Sequence, residues 1–216
     1  MQHMLHMEKS PIRQQWLLFL AQLPAAPSSA RVALWRRLRA AGAASVLNGA
    51  WVLPLADEHK ALFTQLAEVV SGQGGSATVF ATAAMAQEEE EAIVARFRVD
   101  RAREYDEFAE RSLGFLAEIE KETKRRKFTF AELEEIEDDL NKLSAWLAKI
   151  ETRDFFPNAR MQEANDRLQT CGTALRAFAE KVYAQEGVST RQEDDTVPPS
   201  PCGTKPSIDR GGPRNG

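Results

Sequence analysis

The spacing of apolar residues changes several times along the chain, and each change marks an element. Residues 14–23, QQWLLFLAQL, form a short continuous apolar run closed by Pro24 and Pro27, the pattern of a strand buried on both faces and central in its sheet. Ser28 or Ser29 supplies an N-cap for a helix that runs to about Ala41, with Gly42 at the C′ position. Leu34, Leu38 and Ala41 make the apolar face of that helix, Arg36 and Arg39 point elsewhere, and Trp35 lies beside Arg31 four positions back. Residues 43–47 and 50–55 flank Asn48-Gly49, a pair that tolerates positive φ and so marks a tight hairpin. Pro54 suits the end of the second of those strands. Asp57 opens another helix, which carries Leu62, Phe63, Leu66, Val69 and Val70 and stops at Gly72, Gly74 and Gly75; residues 77–81 follow as a fourth strand. The order strand, helix, strand, strand, helix, strand predicts an α+β, ferredoxin-like βαββαβ domain over residues 14–86.

The pattern then becomes helical. Residues 93–98, IVARFR, fit an extra strand and a helical turn equally well. From about residue 100 to 127 a helix is predicted, with Tyr105, Phe108, Ser112, Phe115 and Ile119 three and four apart. Thr129 and Glu132 make a capping box, and Phe128 with Leu133 supplies its hydrophobic staple. The stripe that follows, Leu133, Ile136, Leu140, Leu143, Leu147 and Ile150, is close to heptad spacing. After a turn at residues 153–157, a last helix carries Met161, Leu168, Cys171, Leu175, Phe178 and Val182. These stripes predict a helical bundle or antiparallel coiled coil over residues 87–186. Residues 187–216 are rich in Pro, Gly and Ser and predict a disordered tail, and residues 1–13 a flexible N-terminus, read either as a frayed end or as lying ahead of a start at Met4 or Met7.

Charge is unevenly spread. Residues 8–85 carry seven Lys/Arg against four Asp/Glu, residues 86–186 seventeen against twenty-four, and residues 187–216 four of each, or +3, −7 and 0. A polyanion would therefore meet the first part or local arginine clusters, not the whole surface. The chain has two cysteines, Cys171 and Cys202, and no C-x-x-C or Cys/His array, which argues against a disulfide framework or zinc site and for a cytoplasmic protein. The longest apolar run near the N-terminus is too short to span a bilayer, so no membrane role is expected. No P-loop, G-x-G-x-x-G or G-x-S-x-G is present, so no enzyme activity and no cofactor are expected.

Among single residues, His59 in a first helical turn reads as surface, Cys171 as a small buried hydrophobe, and Glu88 to Glu91 as a solvated helix start. His3, third from a free N-terminus, offers a weak case for copper or nickel. Lys121, Lys124, Arg125, Arg126 and Lys127 sit where a helix C-terminus favours cations for local reasons. The candidate DNA or oxyanion contacts are Arg36, Arg37 and Arg39 on the first helix, with Arg96, Arg98, Arg101 and Arg103 beyond the sheet. Arginine suits them because its planar fork donates in pairs to phosphate and similar oxyanions.

Three stretches in order carry a resemblance: WLLFLAQLP, LWRRLRAAGAASVLNGAWVLP, and FAELEEIEDDLNKLSAWLAKIETRDFF at residues 130–156. Together they resemble the N-terminal domain of the chromate-resistance regulator ChrB, over roughly residues 14–185. The resemblance implies a transcriptional regulator of a chromate-efflux operon that binds DNA as a homodimer and responds to chromate as effector. The sheet domain is also similar to the ferredoxin-like module of the phenylacetate repressor PaaX and of a small CRISPR-associated integration nuclease. That nuclease needs an aspartate near the end of its first strand; Ala21, Gln22 and Leu23 stand there, so nuclease activity does not carry over. Longer relatives continue into a further domain where this chain has its Pro/Gly-rich segment. The competing expectation is a protein-interaction module whose bundle binds a partner chain without touching DNA.

Overall fold

A computed structural model describes residues 14–26 and 28–187. The expectations for the N-terminus, for Pro27, for His3, for Cys202 and for residues 188–216 lie outside the described residues. Nine elements follow in order: β1 (Gln15–Gln22), α1 (Ser28–Ala40), β2 (Ala44–Leu47), β3 (Ala50–Pro54), α2 (Asp57–Gly72), β4 (Ser76–Ala83), α3 (Gln87–Lys124), α4 (Phe130–Glu151) and α5 (Ala159–Gln185). The strands form one antiparallel sheet in the order β2-β3-β1-β4, with β1 central, and three long helices follow it.

Strand register sorts the sheet side chains by face. Leu17, Phe19, Trp51 and Leu53 share one face, where Phe19 meets Phe63 of α2 with ring centroids 5.1 Å apart. On the opposite face Trp16 stacks on Phe97 of α3 at 5.7 Å and 14°. Burial on both faces holds for the Trp16 end of β1 and fails at Leu20, which is 38% exposed because α3 covers only part of that face.

The α3 helix settles the open reading of residues 93–98 in favour of a helix. Ile93, Val94 and Phe97 lie on one side of it and pack into the sheet core, so the apparent alternation is helical spacing read over too short a window. The same helix continues past Tyr105 into the core of the bundle. There Phe108, Ile119, Leu133, Ile136, Leu147, Ile150, Cys171, Phe178 and Val182 are buried together. Half of the expected capping box is present at the α4 start: the Glu132 N–H donates to Thr129 Oγ1 at 3.3 Å, while the Glu132 carboxylate pairs with Lys127.

The turn between α4 and α5 reaches back to the sheet. Phe155 and Phe156 join Phe97 at 5.9 and 5.4 Å, and His59 lies edge-on to Phe155 at 5.0 Å. His59 is therefore buried rather than a surface residue, its Nδ1 paired with the Pro54 carbonyl oxygen at 2.8 Å. Gly42 permits this docking for two reasons. Its φ is +77°, and a Cβ there would stand 2.9 Å from Arg153 Cβ and 3.2 Å from the Phe155 ring.

Candidate nucleic-acid and oxyanion interface

The helix α1 places Arg31, Trp35 and Arg39 at intervals of four, which makes a row along one side of the helix. Asp100 and Arg103, three apart on α3, stand opposite that row. The floor is the end of β1, the β2–β3 turn and the start of β4, and the whole lines an open cleft of about 1160 Å³. Gly49 shapes this floor: its φ is +78°, and a Cβ would fall 2.6 Å from the Ala21 carbonyl oxygen, while the Ala21 N–H donates to Gly49 O at 2.8 Å.

Three arginines face one aspartate in the cleft. Arg39 Nη1 pairs with Asp100 Oδ2 at 2.5 Å, both side chains being partly exposed. Arg31 and Arg103 make no ion pair or hydrogen bond among the described residues, so their guanidinium donors are open to a ligand. Trp35 is 52% exposed and Leu47 of the turn 73% exposed, so cationic forks sit beside apolar surface. Such a wall takes a phosphate or similar oxyanion and a flat ring next to it.

The expected arginines divide into four situations. Arg39 and Arg103 enter the cleft. Arg37 donates to Gln65 Oε1 of α2 at 2.9 Å, and Arg96 donates to the Ser45 carbonyl at 3.0 Å, so both brace neighbouring elements. Arg36 and Arg98 are exposed and lie outside the cleft lining. Arg101 is the correction. It is only 4% exposed and pairs with Glu104 at 2.7 Å, while Arg153 holds the same carboxylate oxygen at 3.0 Å. Desolvation lowers the Arg101 pKa, with Glu104 opposing the shift. A duplex cannot reach this side chain; it pairs within α3, and Glu104, held by both arginines, joins α3 to Arg153 of the α4–α5 turn. Beside it the Tyr105 hydroxyl donates to Asp154 Oδ2 at 2.9 Å, and burial followed by that bond raises the phenol's pKa.

Arg31 joins the expected set, and its spacing to Trp35 and Arg39 is the signal in the sequence that points to it. The basic cluster at the end of α3 is answered by its own neighbours: Lys121 pairs with Glu118 at 2.6 Å, Lys124 with Glu120 at 2.5 Å, Arg125 with Glu122 at 3.2 Å, and Lys127 with Glu132. In the acidic run, Glu89 caps α3 by accepting from the Met85 and Ala86 N–H groups at 3.0 and 3.2 Å. Among the described residues no group of three or more His, Cys, Asp or Glu is placed to hold a metal ion, and no helix is long and apolar enough to cross a membrane. Cys171 is buried, as its stripe position indicates, and burial raises its thiol pKa.

The family described as Protein ChrB, N-terminal, matches residues 31–189, which takes in the cleft row of α1 and all of α3, α4 and α5. The chain belongs to the ChrB N-terminal family. It is similar to Protein ChrB of Cupriavidus metallidurans, 32% identical over 93 residues. That stretch is 43% of this chain and 28% of the relative, so the match spans less than a third of the relative's length.

Proposed function

We propose that this ChrB-family chain is a DNA-binding transcriptional regulator of chromate resistance, acting as a homodimer, with its α1–α3 cleft on the phosphate backbone. The observation that carries this reading is the cleft itself: Arg31 and Arg103 present unengaged guanidinium groups across an open groove beside Trp35. The βαββαβ order and the sheet order β2-β3-β1-β4 support a ferredoxin-like module as its platform. Phosphate contacts of this kind supply affinity and strong salt dependence without reading sequence. Chromate is a tetrahedral dianion offering the same charged oxygens, so it competes for the same forks and loosens the grip on DNA.

The bundle favours this reading over a partner-binding module. Leu133, Ile136, Leu143, Leu147 and Ile150 of the heptad-like stripe are buried within the chain itself, which leaves no such seam for a second helix.

A mobility-shift titration with the promoter DNA of the chain's own operon tests the proposal. The wild type is expected to shift it, and the Arg31→Glu/Arg103→Glu double variant to lose at least about tenfold in affinity, since a charge-assisted hydrogen bond contributes about 1.5–3 kcal/mol. Added chromate should weaken the wild-type shift, and sulfate, a tetrahedral dianion of the same charge, should compete for the same forks in a parallel titration. Equal shifts by wild type and double variant would remove the cleft from the account.

A further inference from the structure

The sheet ends in two unlike edges. At one, β2 has four residues, its ladder with β3 is broken by an irregularity between Ser45 and Leu47, and Arg96 caps the Ser45 carbonyl. Short length, a bulge and a covering charge are the devices by which sheets refuse another strand. At the other edge β4 runs eight residues, SATVFATA, in unbroken register with β1 and without a charge or a proline. No described strand pairs with its outer side.

The ladder fixes which groups that edge offers. The Leu55 N–H donates to Gln15 O at 2.9 Å and the Ala21 N–H to Gly49 O, so odd-numbered β1 residues bond toward β3 and even-numbered ones toward β4. Their β4 partners are Ser76, Thr78, Phe80 and Thr82. The N–H and C=O groups of Ala77, Val79, Ala81 and Ala83 therefore point outward.

The strand is also close to its own complement. Residues 77–83 read ATVFATA forward and ATAFVTA backward, so reversal matches Ala77 with Ala83, Thr78 with Thr82 and Phe80 with itself; only Val79 against Ala81 departs. Two identical antiparallel edges related by a two-fold axis normal to the sheet bring together residues of the same face. An axis through Phe80 meets this condition. It sets Val79 against Ala81 of the partner subunit and Ala77 against Ala83 of the partner subunit as hydrogen-bonded pairs, using the outward groups. Thr78 against Thr82 of the partner subunit, and Phe80 against its own copy, become the close non-bonded pairs. Thr–Thr and aromatic–aromatic pairs are favourable across strands, and no charge opposes the approach. Phe80, now 49% exposed, would be covered.

We propose that the chain dimerises through β4, with Phe80 on the two-fold axis, joining two sheets into one. The inference names the surface for the homodimer reading above and does not depend on DNA contact. Ser76, Ala77 and Thr78 also line the arginine cleft, so each cleft borders the seam.

Sedimentation velocity on the full chain tests it. The wild type should sediment as a dimer, and Phe80→Glu and Ala81→Pro should each raise the dimer dissociation constant at least about tenfold with an unchanged circular dichroism spectrum. The proline removes only an outward N–H, so the β1–β4 ladder is left intact. In a Cys202→Ser background, Phe80→Cys should cross-link two chains under mild oxidation, whereas Leu47→Cys on the opposite edge should not. A dimer that persists in both variants, with no cross-link at position 80, would overturn this surface and leave the homodimer reading standing. A wild type that stays monomeric at all concentrations would overturn both, and the DNA titration would be judged separately.

Discussion

Two clusters of basic residues look alike in the sequence and differ in the folded chain. The cluster at the end of α3, residues 121–127, lies on one helix end and the turn after it, where glutamates three to five positions away neutralise four of its five cations. The cleft cluster is assembled from two helices, with Arg31 and Arg39 on α1 and Arg103 on α3, and only Asp100 answers it. Local density of Lys and Arg therefore says little about a binding surface. What matters is whether the fold places carboxylates within reach, and that is decided between elements.

The sharpest way to probe this difference is inside α3. Arg101 and Arg103 are two positions apart, yet one is buried against Glu104 and the other faces the cleft. Arg101→Glu should cost about 3–5 kcal/mol, because it breaks a buried pair and sets two carboxylates together; a urea midpoint measures it. Arg103→Glu should leave the unfolding free energy within about 0.5 kcal/mol of the wild type while weakening DNA binding.

Next in size is the effect of the cleft arginines on binding. Arg31→Glu alone should lower affinity about tenfold and make the salt slope shallower by about one, as read by fluorescence anisotropy at several salt concentrations. Smaller again is Asp100→Asn, which frees Arg39 from its counter-charge. A partly exposed pair contributes up to about 1 kcal/mol, so affinity for DNA should rise by no more than about fivefold. The smallest change is expected at the other cluster. Lys121→Glu with Lys124→Glu should alter DNA affinity less than about twofold, since both lysines are already paired with glutamates in exposed ion pairs. A larger loss there would move the interface to the tip of the bundle.

Much of the architecture was legible in advance, because it depends on local chemistry. The Asn48-Gly49 hairpin, the glycine stop after α1, the Thr129 cap and the apolar stripes of α4 and α5 each rest on a few neighbouring residues. What was not legible involved distant partners. Phe155 and Phe156 read as a turn, and only the docked structure shows them filling the space beside Trp16 and Phe97. His59 reads as surface until Phe155 arrives over it. The helix α3 begins at Gln87, well before the stripe at residue 100, because Ile93, Val94 and Phe97 serve the sheet core while the residues after them serve the bundle. Of the site, the sequence pattern picks out Arg39 and Arg103, passes over Arg31 and puts Arg101 on the surface, since burial of an arginine depends on a turn fifty residues away.

The central claim is that α1 and α3 jointly form the anion-binding cleft. The measurement that bears on it most directly is the salt dependence of DNA binding for the wild type and the Arg31→Glu/Arg103→Glu variant, compared on one duplex. The account predicts a log–log slope shallower by about two in the variant, as two phosphate contacts are lost. Superimposable slopes and affinities would contradict it.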